Sequence, residues 1–269
     1  MPLKSKITRW IYKLYVSFFV KKEFYRFHVS LYHLSLFGLG VLNSESFRSS
    51  GEEWFFKNFV KTGQNQIIFD IGANEGEYSI RIRRISNTPI IYSFEPHPRT
   101  FSRLQQKAKE CGFLAFNYGC SNQKGEGVLF DYFDQDGSGN ASLYKDVFPS
   151  FHQSKSVTQH TIKLVTIDDF AQEHGISRID ILKIDVEGHE LDVLKGAMSL
   201  LNNKKISVIH FEFNHMNIIS RVYFKDFFDL LVDFDLYRML PNGLAPIREY
   251  SSALCEIFAY QNIVAILKE

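Results

Sequence analysis

One stretch decides the fold of this 269-residue chain: Ile67-Ile68-Phe69-Asp70-Ile71-Gly72-Ala73-Asn74-Glu75-Gly76. Its apolar run suits a strand covered on both faces of a parallel sheet. Gly72 and Gly76 allow the backbone to turn sharply and to approach a bound molecule where a Cβ would intrude. Ligands bind beyond the carboxyl ends of the strands in open α/β sheets. The stretch therefore predicts a buried strand whose end faces a ligand, although Asp70 could also simply cap the next helix.

The spacing of the two glycines indicates the class of ligand. The dinucleotide pattern G-x-G-x-x-G does not fit, because the chain reads D-x-G-x-x-x-G here. A leading acid with this spacing is typical of S-adenosylmethionine sites in Rossmann-like enzymes. A second apolar run, residues 90–95, ends in Glu95, and a carboxylate there accepts hydrogen bonds from ribose hydroxyls. Glu95 therefore predicts a nucleoside-bearing cofactor, and an NAD-dependent enzyme stays open as an alternative.

Composition excludes some classes of protein. A hydrophobic content of 45%, with 15% aromatic residues, is sufficient for a sizeable core. The net charge of +1 gives no reason to expect a nucleic-acid partner. Cys111, Cys120 and Cys255 show no metal-binding spacing and leave an odd thiol, which is typical of a reduced protein. We therefore expect a cytoplasmic protein, and we interpret the cysteines as small apolar core residues.

The first thirty residues differ in charge from the rest of the chain. Seven basic residues and one acid give this segment +6, which leaves −5 for the remainder. Apolar residues from Ile7 to Phe19 recur at helical spacing and predict an amphipathic helix. The run is too short to span a bilayer and lacks a small-residue cleavage site. Two interpretations stay open: the helix packs on the domain or on a subunit partner, or it lies peripherally on the anionic inner face of a membrane.

Strand and helix patterns alternate after residue 62. We expect residues 1–62 to form a helical N-terminal extension and residues 63–269 to form one domain, with a hairpin and loop insertion at about 125–165. The polar segment 134–156 fits a substrate loop. The predicted strands are 67–70, 90–95, 114–119, 179–184, 206–213, 237–240 and 257–267, with helices at 78–85, 98–110, 190–201 and 222–233. This order predicts a mostly parallel sheet wound on both faces, with an antiparallel last strand.

A second group of polar residues follows the strand predicted at 179–184. Asp185, Glu187 and His189 come directly after it, and Glu212 and Asn214 end the next strand. Carboxylates at neighbouring strand ends suit a general base that acts on a hydroxyl, or ligands of a divalent metal that acidifies it. Histidine ordinarily titrates near neutral pH, so His189 is the natural group to exchange a proton there. Each acid alone could merely favour a helix N-terminus, but together they predict a catalytic site.

These motifs together resemble the FkbM-type methyltransferase family. The similarity lies in residues 70–76, 94–98, 183–190 and 193–197, and it runs in order from about residue 38 to 265. It does not include the basic N-terminal helix. The resemblance implies a Rossmann-like class I methyltransferase sheet, S-adenosyl-L-methionine as the methyl donor, and O-methylation of a sugar or natural-product hydroxyl. The expected acceptor is therefore a small-molecule or glycan hydroxyl.

The resemblance also implies roles for individual residues. The residues that it assigns to the methyl donor are Asp70, Gly72, Asn74, Gly76, Glu95, Asn117 and Ser121. Those that it assigns to the acceptor side and to catalysis are Asp185, Glu187, His189 and Glu212. Asp185, Glu212 and Asn214 are candidate metal ligands, since some O-methyltransferases of this fold use a divalent metal. A non-catalytic membrane-surface partner in glycan assembly is the remaining alternative.

Overall fold

A central eight-stranded sheet organises the computed structural model, which describes residues 6–132, 137, 141–147 and 157–269. The strands of the described residues are β1 (Ile67–Ile71), β2 (Ile90–Phe94), β3 (Leu114–Phe116), β4 (Gly119–Cys120), β5 (Gly125–Tyr132), β6 (Val157–Val165), β7 (Ile179–Ile184), β8 (Ile206–Phe213), β9 (Phe234–Leu240), β10 (Gly243–Pro246) and β11 (Gln261–Leu267). The order in the large sheet is β10-β9-β11-β8-β7-β1-β2-β3. The chain therefore crosses over the sheet between most neighbouring strands.

The middle of this sheet is parallel, and its last strand is antiparallel. β1 pairs in parallel with β2 and β7, and β7 pairs in parallel with β8. β11 runs antiparallel to β8 and β9. The predicted Rossmann-like class I arrangement is confirmed. β10, which pairs with β9 at the edge of the sheet, was not predicted.

Helices cover both faces of the sheet. The helices are α1 (Lys6–Phe19), α2 (Tyr25–Gly38), α3 (Glu52–Phe59), α4 (Glu77–Ile85), α5 (Pro98–Cys111), α6 (Ile167–Glu173), α7 (Glu190–Lys195), α8 (Met198–Asn202), α9 (Met216–Ser220), α10 (Phe224–Leu230) and α11 (Ser252–Cys255), with a short 3₁₀ turn at Lys22–Phe24. Phe69 points into one core with Phe94 and Phe170, whereas Ile68 points into the other with Phe55. This alternation explains why the strand reads as a continuous apolar run.

Two predicted elements are divided in the structure. The strand expected at 114–119 ends at Phe116, and Gly119–Cys120 joins β5 and β6 in a separate three-stranded sheet. The helix expected at 190–201 is interrupted around Gly196, where the backbone passes close to Ser121. A Cβ on Gly196 would lie only 2.1 Å from the Ser121 carbonyl oxygen. The break in this helix therefore coincides with a close approach of a distant segment of the chain.

The insertion is built on one long hairpin. β5 and β6 pair antiparallel from Gly125 opposite Leu164 to Tyr132 opposite Val157. Most of the predicted substrate loop at 134–156 lies outside the described residues. Of its described part, Ser142 forms an isolated bridge with Phe130. The hairpin thus holds residues 141–147 close to the ends of the central strands.

The N-terminal region divides into an exposed and a packed part. No side chain between residues 8 and 35 is buried, and Leu36 is the first that is. Val41 then bridges to Gln261, and Phe55 and Phe56 enter the core beside the sheet. Among the described residues no helix combines the length and the apolar character that crossing a membrane requires. The domain boundary expected at residue 62 stays a prediction.

Candidate active site

Two adjoining clefts open at the carboxyl ends of the central parallel strands. The first cleft has a volume of about 750 Å³ and is lined by Ile71, Gly72, Asn74, Glu95, Pro96, Tyr118, Gly119, Cys120, Leu129, Ala141, Leu143, Ile162, Asp185, Val186, Glu187 and His189. The second cleft has a volume of about 1010 Å³ and is lined by Phe47, Glu52, Gly72, Ala73, Asn74, Glu75, Glu77, Tyr78, Lys107, Lys183, Ile184, Asp185, His210, Glu212, Tyr260 and Asn262. The residues common to both clefts are Gly72, Asn74 and Asp185, so one elongated ligand can occupy the two together.

Gly72 forms the boundary between the clefts. Its φ of +73° lies in the left-handed region, and its N–H donates to the Phe94 carbonyl at 3.0 Å. A Cβ at this position would lie 1.7 Å from the carbonyl oxygen of Asp185. The Asp185 N–H in turn donates to the Ile71 carbonyl at 3.0 Å. The ends of β1 and β7 therefore approach each other over a glycine that no other residue can replace without displacement.

Glu95 presents a carboxylate to the first cleft. Its Oε2 accepts a hydrogen bond from the Asn74 N–H at 2.9 Å, and its Oε1 accepts one from the His97 N–H at 2.8 Å. Burial raises the pKa of Glu95 to about 7, although the two backbone donors favour the ionised form. Each oxygen keeps a further lone pair. Glu95 can therefore accept hydrogen bonds from two neighbouring hydroxyls of a ligand.

Asp70 and Gly76 lie outside both clefts. Asp70 is fully buried, and its Oδ2 accepts a hydrogen bond from the Ser79 hydroxyl at 2.6 Å. A Cβ on Gly76 would meet the Leu104 side chain at 2.8 Å, so this glycine faces the core. The structure thus places these two predicted donor-binding residues beneath the loop. They shape the loop, whereas Gly72 and Asn74 line the cavity.

Lys183 connects the predicted motifs, and the sequence interpretation did not assign it a role. Its Nζ lies 3.4 Å from Asp70 Oδ1 and 3.3 Å from Asp185 Oδ2. Burial lowers the pKa of Lys183, but the charges of Asp185, Asp70 and Glu52 outweigh this effect, so the net shift is upward and the ammonium stays charged. The sequence signal was a lone cation in the apolar run of β7.

Asn117 and Ser121 support the first cleft from outside. The exposed Asn117 donates through its side-chain amide to the carbonyl oxygens of Glu95 and Pro96, at 2.8 and 3.0 Å. Ser121 is buried, and its hydroxyl lies 2.9 Å from His189 Nε2. Tyr118, Gly119 and Cys120, between these two, line the cleft. The segment after β3 therefore lies at the predicted position, but different residues of it line the cavity.

Asp185, Glu187 and His189 meet in the first cleft. Glu187 has a φ of +52°, which is uncommon for a residue with a side chain. Burial, and then the charges of Asp185 and Glu190, raise the pKa of Glu187 to about 8. A carboxyl with such a pKa exchanges its proton close to neutral pH, as a general base must. This part of the predicted catalytic set is brought together.

His189 is held at both ring nitrogens. Its Nε2 lies 2.9 Å from the Ser121 hydroxyl, and its Nδ1 lies 3.1 Å from the hydroxyl of Tyr144 in the insertion. Burial lowers the pKa of His189, which favours the neutral ring. Tyr144 is a contact that sequence reasoning missed, because nothing local connects it with His189. The histidine therefore joins the insertion to the strand ends.

Glu212 lines the second cleft, whereas Glu187 and His189 line the first. Burial, followed by the charges of Asp185 and Glu187, raises the pKa of Glu212 well above its usual range. The Asn214 amide donates to Glu212 Oε1 at 2.5 Å, while its own oxygen accepts from the Met216 N–H. Asn214 lines neither cleft. Among the described residues, no group of three or more His, Cys, Asp or Glu side chains is placed to hold a metal ion.

The second cleft contains further polar groups that the sequence interpretation did not select. Burial raises the pKa of Glu52 to about 7, and Ser50 donates a hydrogen bond to it. Burial also lowers the pKa of His210 to about 4, so the ring is neutral, and the Tyr78 hydroxyl lies 3.2 Å from its Nδ1. The position of Glu52 near the start of the resemblance was the only signal for it. The second cleft is therefore lined by many polar and ionisable side chains.

Sheet order and cleft position define a class of protein, the Rossmann-like class I methyltransferases. The family model described as "Methyltransferase FkbM domain" matches residues 70–238, and the chain belongs to this family. The matched region begins at Asp70 within β1 and contains the glycine loop and the acidic segment after β7. The predicted family is confirmed.

Two curated relatives are similar to this chain. This chain is 25% identical over 148 residues to the hexuronic acid methyltransferase AglP of Haloferax volcanii, and the match covers 54% of this chain and 56% of that protein. This chain is also 25% identical over 190 residues to the 2-O-methyltransferase NoeI of Sinorhizobium fredii, and the match covers 66% of this chain and 76% of that protein. The first match thus spans little more than half of the relative's length.

Solved structures show a weaker likeness. The precorrin-6y C5,15-methyltransferase of Geobacter metallireducens aligns with a TM-score of 0.42 at 10% identity, over 85% of this chain and 94% of that one. Aeropyrum pernix fibrillarin, in complex with natively bound S-adenosyl-L-methionine, aligns with a TM-score of 0.42 at 13% identity, over 77% of this chain and 68% of that one. Likenesses of this size carry no conclusion about the substrate.

Proposed function

We propose that this protein uses S-adenosylmethionine to methylate a hydroxyl group of a sugar. One observation carries the proposal: the Gly72 loop, the Glu95 carboxylate and the pair Asp185 and Glu187 all line the same cleft. A donor site and a proton acceptor thus border one cavity. The family supports methyl transfer, and the relatives named for a hexuronic acid and for 2-O-methylation support an oxygen acceptor on a sugar.

The first cleft suits a nucleoside-bearing donor. Glu95 would accept hydrogen bonds from the ribose hydroxyls, while Tyr118 and Leu129 would enclose the base. Gly72 leaves its surface free of a side chain where the two clefts meet, so the methionine end would pass there toward the second cleft. S-adenosylmethionine supplies a methyl group made electrophilic by its sulfonium. The protein's task is then to hold donor and acceptor in line.

Glu187 is the general base of the proposed reaction. A hydroxyl becomes a good nucleophile only when its proton is removed, and Glu187 lines the cleft with a pKa of about 8. Asp185 raises that pKa by its own charge and stays fixed by Lys183. His189 fixes the insertion through Tyr144. Together these contacts shape the acceptor side of the first cleft.

Donor identity is tested first. S-adenosylhomocysteine should raise the melting temperature of the purified protein, whereas NADH should not. Stabilisation by NADH alone would overturn the donor assignment and favour a dehydrogenase. If S-adenosylhomocysteine binds but no sugar in a broad panel is methylated, that result would instead favour the non-catalytic partner.

The base is tested by a pair of substitutions. Glu187→Gln should lower kcat about 10²–10⁴-fold, which is the usual contribution of a general base. It should also remove the rise in rate that the parent protein shows as the pH increases through about 8. The exposed Glu249→Gln is the matched control, because it makes the same chemical change outside both clefts. A Glu187→Gln enzyme that keeps the parent pH profile would contradict the assignment.

A further inference from the structure

The N-terminal helices expose more apolar surface than any other described part of the chain. Among the described residues, 25 large hydrophobic side chains are exposed, and 17 of them lie between residues 10 and 39. Trp10, Phe18, Tyr25 and Leu34 are each at least 60% exposed. Apolar patches of this extent on soluble proteins mark an interaction site. Something outside the described residues therefore has to cover this surface.

The helices do not cover their apolar residues with one another. The Tyr15 hydroxyl lies 3.1 Å from His28 Nδ1, and His28 Nε2 lies 3.0 Å from the Phe19 carbonyl oxygen. These contacts join α1 to α2, yet between residues 8 and 35 only Phe24 and His28 are even partly covered. One interpretation left open by the sequence was that the helix packs on its own domain or on a subunit partner, and residues 8–35 are not packed on their own domain.

The charge of the N-terminal segment indicates what kind of partner covers its apolar surface. Residues 1–30 carry +6, whereas the remaining residues carry −5. Arg9, Lys13 and Lys21 are exposed among the aromatic residues. In a symmetric dimer whose N-terminal segments met each other, two segments of +6 would face each other. Basic and aromatic residues on one helical surface are instead complementary to the headgroups and acyl boundary of an anionic bilayer.

The lengths of α1 and α2 determine how these helices would lie relative to a bilayer. α1 and α2 have 14 residues each, or roughly 21 Å of helix, which is less than the roughly 30 Å needed to span the hydrocarbon core. They would therefore lie along the surface. Just after them, the Leu42 N–H donates to the Tyr260 carbonyl at 2.8 Å, and Tyr260 lines the second cleft. The helices are thus attached at the rim of that cleft.

We propose that residues 6–39 bind the surface of an anionic phospholipid membrane, with the aromatic side chains of α1 and α2 in the acyl boundary and the basic side chains on the headgroups. This places the rim of the second cleft next to the bilayer. The binding is independent of methyl transfer, since none of these residues lines either cleft.

Vesicle sedimentation tests the proposal with the full chain. The protein should sediment with vesicles of equal parts phosphatidylcholine and phosphatidylglycerol, and much less with vesicles of phosphatidylcholine alone. Lys13→Gln with Lys21→Gln should weaken binding on the order of tenfold or more, since each basic residue near an anionic surface contributes about 1 kcal/mol. Lys109→Gln with Lys205→Gln is the matched control, because both lysines are exposed outside this segment. The control should bind like the parent.

Fluorescence reports insertion directly. The chain has two tryptophans, so Trp54→Phe leaves Trp10 as the only reporter, and its emission should shift to the blue on addition of the mixed vesicles. Absence of sedimentation with these vesicles at low ionic strength would overturn the proposal. So would binding that the lysine substitutions leave unchanged. If the protein does not bind vesicles but forms a dimer in light scattering, and Trp10→Asp abolishes that dimer, the surface would be assigned to contact with a second copy of the chain.

Discussion

Replacing Gly72 with alanine tests the geometry on which the site depends. The added Cβ would lie 1.7 Å from the Asp185 carbonyl oxygen, whereas real Cβ atoms essentially never come within 3.0 Å of another heavy atom. The ends of β1 and β7 must therefore separate by more than an ångström. That movement breaks the hydrogen bond from the Asp185 N–H to the Ile71 carbonyl. Both clefts are affected, because Gly72 and Asp185 line the two of them.

The expected loss of stability has three parts. The φ of +73° costs an alanine about 1–2 kcal/mol. Overpacking in a close-packed site adds about 1–3 kcal/mol, and the lost backbone hydrogen bond adds about 1 kcal/mol. The free energy of unfolding should therefore fall by roughly 3–6 kcal/mol, a large share of the roughly 5–15 kcal/mol that a protein has in total. Affinity for S-adenosylhomocysteine should fall as well.

Gly112→Ala separates the steric effect from the conformational one. Gly112 also has a positive φ, +80°, but nothing lies within 4 Å of the position of its Cβ. Urea denaturation should show only the conformational cost of about 1–2 kcal/mol for this variant, and calorimetry should show parent-like binding of S-adenosylhomocysteine. Equal losses of stability in the two variants, or normal ligand affinity in Gly72→Ala, would refute the reasoning.

Three further predictions concern the charged groups of the site. Lys183→Met leaves Asp70 and Asp185 without their shared cation. Urea denaturation should therefore show that the free energy of unfolding falls by about 3–5 kcal/mol, and adding Asp70→Asn should restore part of this loss. No recovery in the double variant would argue against the pairing. Glu95→Gln puts an amide donor in place of an oxygen that accepts a hydrogen bond from a backbone N–H. Calorimetry should therefore show that S-adenosylhomocysteine binds about 10–100-fold more weakly. The control Glu249→Gln should bind it with the parent affinity. The melting temperature of the ligand-free protein should fall as the pH rises from about 6.5 to 8.5, because the pKa values of Glu52, Glu95 and Glu190 are raised to about 7 and that of Glu187 to about 8. The folded state then binds more protons than the unfolded state, and the stability present at low pH is lost through this window. His189 and His210, whose pKa values are lowered, act in the opposite direction only at lower pH. Glu187→Gln should flatten the curve, and a melting temperature that stays constant or rises in the parent would contradict the assignment.

Local sequence was enough for the strands that carry the site. The run before Gly72 is apolar at every position but Asp70, and such a run can only be buried on both faces. Strand ends, glycine turns and acids then follow in order along the chain, which places Glu95 and Asp185 at one edge of the sheet. The antiparallel direction of the last strand was predicted because no helix was expected between the closing strands, although the short helix α11 lies there in the structure.

Contacts between distant segments were beyond the sequence. Nothing near Gly196 shows that Ser121 lies against it and divides the helix. In the same way, the chain separates Tyr144 from His189 by 45 residues, although their side chains meet at 3.1 Å. Such pairs depend on how the insertion folds over the sheet, and no local pattern records that.

Periodicity and backbone freedom within a few residues were enough to predict the class of fold, the edge of the sheet that carries the site, and the glycine at its centre. Tertiary structure alone decided which members of the motifs reach the cavity. Asp70 is turned beneath the loop against Lys183, whereas Glu187 lines the first cleft. The reason is physical: a strand end presents its side chains to opposite faces, and only the packing of its neighbours settles which face holds the ligand.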